Sequence, residues 1–70
     1  MSEEELDAME SVWLYLIEMY NNHLKAATEA IKAGDDLKAA ETLTVADFWY
    51  GSFKSYDEYF KEMKKLYGRQ

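Results

Sequence analysis

The feature that most constrains this chain is a spacing. Leu6, Met9, Trp13, Leu16, Tyr20, His23, Ala27 and Ala30 alternate steps of three and four residues. Ala39, Thr42, Ala46, Trp49, Phe53, Tyr56, Phe60, Met63 and Tyr67 do the same. Each set draws one stripe down one face of a helix. Gly34 lies between them, and folding there makes residues whose numbers add to 69 face each other. Small then meets small near the turn (Ala30 with Ala39, Ala27 with Thr42), and His23 meets Ala46. Large meets large further out: Tyr20 with Trp49, Leu16 with Phe53, Trp13 with Tyr56, Met9 with Phe60, Leu6 with Met63. Agreement between two stripes that share no residue argues for an antiparallel seam.

The boundaries come from local chemistry. Ser2 and Glu5 form a capping box, and Glu3, Glu4 and Glu5 suit the positive end of a helix dipole. Gly34 suits the left-handed residue past a helix end, and Asp35 or Asp36 caps the second helix. The expectation is an all-α, long antiparallel helical hairpin filling one domain, 1–70. It has a helix over 3–33, a turn at Gly34–Asp35 and a second helix over 36–67. Ser55 with Glu58 would allow a third helix from about 56, but the stripe keeps its phase through Gly51. One glycine costs a helix only about 1 kcal/mol. A single second helix is therefore expected, with Gly51–Ser52 as the place where a kink could fall.

A chain of 70 residues with no cysteine has no disulfide to compensate for a small core. Its apolar content exceeds what one seam absorbs. In "SVWLYLIEMY", the seam uses Trp13 and Leu16. Ile17, Leu24 and Ile31 form a row on one flank, joined by Leu43 and Tyr50. Val12, Tyr15 and Met19 lie on the other, joined by Val45 and Phe48. Two helices cannot bury both flanks. The expected function is non-enzymatic protein–protein association, two hairpins completing a four-helix bundle as a homodimer. The candidate interface residues are Val12, Tyr15, Met19, Val45, Phe48, Ile17, Leu24 and Tyr50. The alternative is a heteromeric binding protein that docks its target on the Tyr15, Met19 and Phe48 patch.

Other chemistry is weakly represented. The net charge of −6 disfavours nucleic acid. The apolar runs are too short for a membrane span, and the acidic start is not a signal peptide. A cytoplasmic chain is expected. The basic, aromatic segment "KEMKKLYGR" could meet a membrane, but its lysines land beside the acidic start of the first helix. His23, the only histidine, is expected to be a structural residue. No spacing supplies a di-iron set, opposed haem ligands, a phosphate loop or a nucleophilic triad. No cofactor or metal is expected.

From Gly34 onward the chain resembles an archaeal family of small helical domains of unknown function. That family has a Gly-Asp turn, an alanine four residues after the Asp, and an aromatic-Ala-x-Gly-Trp segment. Here "AGDDLKAAETLTVADFW" supplies Gly34, Asp35, Ala39, Ala46 and Trp49 in register. Val45 replaces the aromatic residue, and Phe48 replaces the glycine. The resemblance implies a helical fold and no known activity. Large apolar groups at Phe48 and Tyr15 are also what redesign of a natural scaffold into a binder would leave.

Overall fold

The computed structural model describes residues Ser2 to Tyr67. Gly68 and Arg69, the end of the basic segment, lie outside the described residues. The chain forms two helices, α1 (Glu3–Lys32) and α2 (Asp36–Tyr67), packed side by side as an antiparallel hairpin. The molecule is 48 × 15 × 15 Å, with a radius of gyration of 15.5 Å. A globular chain of this length would have roughly 11 Å. The hairpin is thus one helix long and a single pair of helices across, a layer one helix thick.

The N-terminal cap forms as its residues require. Ser2 is extended, its Oγ accepts the Glu5 amide proton at 3.1 Å, and its own amide donates to Glu5 Oε1 at 3.0 Å. The Ser2 amide, and then its hydroxyl, hold the Glu5 carboxyl below its usual range.

The turn is a Schellman motif. The Asp35 amide donates to the Ala30 carbonyl at 2.9 Å and the Gly34 amide to the Ile31 carbonyl at 3.1 Å. Gly34 has φ +74°, the left-handed conformation this motif demands. Ala33 keeps right-handed geometry as the C-cap, so α1 ends one residue earlier than the sequence suggests. Asp35 opens α2, its Oδ1 accepting the Lys38 amide proton at 3.1 Å.

α2 runs unbroken through Gly51–Ser55. Neither a break nor a third helix interrupts it, in keeping with an apolar phase that does not reset there. Residues of both stripes are buried or half-buried, with one exception. Tyr67 is exposed because the 69-sum register places it beyond the start of α1. The fully packed positions are Leu6, Ala27, Ala30, Ala39, Ala46 and Phe60. Four are alanines towards the turn, where small side chains let the backbones approach. Thr42 fits among them because its hydroxyl donates to the Lys38 carbonyl of its own helix at 2.8 Å.

Candidate functional site

The seam leaves two broad faces, one on each side of the plane of the hairpin. Trp49 organises the first. Its indole is edge-on to Tyr15 (ring centroids 6.1 Å apart) and to Phe48 (5.5 Å), and it stacks on the His23 ring at 6.3 Å. Tyr15 is 53% exposed and Phe48 66%. Val12 and Val45 are also exposed, while Met19 is half-buried. Two of the five residues expected on this flank, Tyr15 and Phe48, therefore pack against one half-buried indole. A hollow between Ala26, Glu29 and Lys38 extends the same rows towards the turn.

His23 Nδ1 lies 2.8 Å from the Met19 carbonyl oxygen. A carbonyl only accepts, so the imidazole carries its proton at Nδ1 and donates it. That bond and the stacked indole account for the position of the ring. Among the described residues, no group of three or more His, Cys, Asp or Glu side chains is placed to hold a metal ion.

The opposite face carries Ile17, Leu24 and Tyr50. Tyr20 and Tyr50 rings meet at 5.5 Å across the seam. With Leu24, Leu43, Ala46 and Asp47 they line an open groove of about 180 Å³. Leu24, Leu43 and Tyr50 are exposed, and Ile17 is half-buried. The expected interface set thus divides into two patches that face opposite ways.

Towards the open end, this second face becomes polar. The Trp13 indole lies between Phe53 and Phe60, at 5.8 and 6.0 Å. Its Nε1–H donates to Asp57 Oδ1 at 2.7 Å, and Lys61 Nζ sits 3.0 Å from Asp57 Oδ2. The Lys61 ammonium, and then the indole N–H, hold the Asp57 carboxyl below its ordinary value. Lys64 Nζ lies over the Phe60 ring, 5.2 Å from its centre.

Sequence reasoning missed Asp57 and placed Tyr56 opposite Trp13. The signal was present: Asp57 is in phase with Phe53 and Phe60, and a packed indole N–H needs an acceptor. It also assigned Trp49 to the seam alone, where the structure makes it the pivot of the exposed aromatic patch. No helix among the described residues is long and apolar enough to cross a membrane. No family model, no curated protein and no solved structure matches the chain.

Proposed function

We propose that this chain is a non-enzymatic helical module that works by association, first with a second copy of itself. The observation that carries this reading is the exposure of large apolar side chains on both faces of a hairpin one helix thick. Among the described residues, Val12, Tyr15, Leu24, Leu43, Phe48 and Tyr50 are all exposed, whereas Leu6 and Phe60 are the only large buried ones. The accessible surface is 5157 Å², against about 4,500 Å² for a compact monomer of this mass. Completing a four-helix bundle covers one apolar face and doubles the thickness of the core. With no cysteine to keep oxidised, the chain suits a cytoplasmic setting.

The aromatic cluster of Tyr15, Phe48 and Trp49 supports a second reading, a heteromeric binding protein. Rigid aromatics gathered on one exposed face are the usual anchors of protein interfaces. An engineered binder on a natural helical scaffold is one form of this reading. The Gly34–Trp49 resemblance to an archaeal helical family fits either reading, since it implies the fold and no activity.

Sedimentation equilibrium of the purified chain at low micromolar concentration tests the proposal. A species of twice 8.2 kDa is expected. A folded monomer would overturn self-association and leave the heteromeric reading.

A further inference from the structure

We infer that the second copy docks on the Tyr20–Tyr50 face, about a two-fold axis running along the hairpin, with both turns at the same end. This rests on the association reading above and names the face and orientation it uses.

The basis is how charge divides along that face. The groove residues Tyr20, Leu24, Leu43 and Tyr50 fix which helical rows point there. Towards the turn these rows hold Ile17, Leu24 and Ile31 of α1, and Ala40, Leu43 and Tyr50 of α2. Asp36 and Asp47 are the charges among them, and Asn21 and Thr28 share the α1 row that carries Asp7. Followed to the open end, the same α1 rows become Glu3, Asp7 and Glu10. The α2 rows become Lys54, Asp57, Lys61 and Lys64, with Asp57 already engaged by Trp13 and Lys61. Each hairpin therefore presents a mostly apolar half, then an acidic row beside a basic row.

A two-fold axis along the hairpin lays α1 of one copy over α2 of the other at the same axial level. The mostly apolar halves then meet each other, and each acidic row lies over a row rich in lysine. By the 69-sum register, Asp7 and Glu10 come level with residues 62 and 59, beside Lys61. Opposite-end docking instead stacks α1 on α1 and drives Glu3 and Asp7 onto Leu24 and Ile31. That would bury charge against apolar surface.

The Tyr15 face lacks this complementarity. Its open end carries Glu5 on α1 and Glu62 on α2, which the same symmetry brings together. One face of a 48 × 15 Å hairpin spans roughly 700 Å², close to the ~800 Å² per partner of a standard interface. The face opposite is left free in the dimer.

Three measurements test the inference. The chain has no cysteine, so Leu37→Cys gives one spin-label site per copy beside the turn. With turns together, the labels should lie about two helix diameters apart, roughly 20–25 Å. A separation approaching the 48 Å length would overturn the orientation.

In the second measurement, Asp7→Lys/Glu10→Lys chains are mixed with Lys61→Glu/Lys64→Glu chains. At low salt the mixed pair should form about tenfold more tightly than either homodimer, and the preference should fade as salt screens it. Equal affinities at low salt would sink the charge pairing.

Third, Leu24→Glu/Leu43→Glu should weaken dimerisation ~100-fold, while Tyr15→Glu/Phe48→Glu leaves it unchanged, both with helical content retained. The reverse pattern overturns the choice of face but keeps self-association. A wild-type chain that sediments as a monomer ends both.

Discussion

The indole N–H of Trp13 donates to the Asp57 carboxylate across the helix pair, at 2.7 Å. It is a side-chain hydrogen bond that ties α1 to α2 at a defined level. Trp13→Phe keeps an aromatic ring between Phe53 and Phe60 and removes only the donor, so it should cost about 1 kcal/mol. Trp13→Ala also empties the space between those rings, and about 3 kcal/mol is expected for a half-buried indole. Urea unfolding of both variants checks this. Equal losses would show that the bond contributes and the ring packing does not.

Acid should weaken the fold through Asp57 and Glu5. Both carboxyls are held below their ordinary values of 3.8 and 4.5, the first by Lys61 and Trp13, the second by Ser2. As pH falls, the unfolded chain takes up these protons before the folded one does. The stabilisation is therefore present above pH 3.8–4.5 and lost as pH drops through the lower folded values. Thermal melts between neutral and acid pH should show Asp57→Asn losing less stability across that limb than the parent chain. Parallel curves would remove Asp57 from the account.

One substitution made at two glycines should have opposite signs. A Cβ on Gly51 meets nothing within 4 Å, and the residue lies inside an unbroken helix. Gly51→Ala should stabilise by about 1 kcal/mol. A Cβ on Gly34 also meets nothing, but its φ of +74° is left-handed. Gly34→Ala should therefore destabilise by roughly 1–2 kcal/mol from backbone conformation alone. Denaturant midpoints of the two variants are the measurement.

His23→Gln should leave the sedimentation coefficient unchanged and cost about 1 kcal/mol, through the lost stack on Trp49 and the lost bond to the Met19 carbonyl. A change in association state would move His23 from packing to interface.

The hairpin was legible because both stripes keep one phase, and because Gly34 and Asp35 can serve a turn in few other ways. The facing partners were less legible. A row in a heptad fixes a residue's face and its level along the axis, but a long side chain reaches a turn to either side. The Tyr20 ring meets Tyr50, and Trp13 settles between Phe53 and Phe60. Small residues leave no such choice, and Ala27, Ala30, Ala39 and Ala46 are buried where the spacing puts them. Two apolar flanks were legible, but the spread of charge along them has meaning only once the groove shows which rows share a face.

The placement of Leu6 and Phe60 bears on how the molecule opens. A helical hairpin ordinarily frays from the end its loop does not tether. Here that end holds the two large buried side chains, while the tethered half is packed with alanine. Prising the free ends apart would expose the most apolar surface in the first step, and unzipping from the turn is blocked by the loop itself. Amide protection should accordingly be nearly level along the helix pair, as in a clasp that is either shut or fully released.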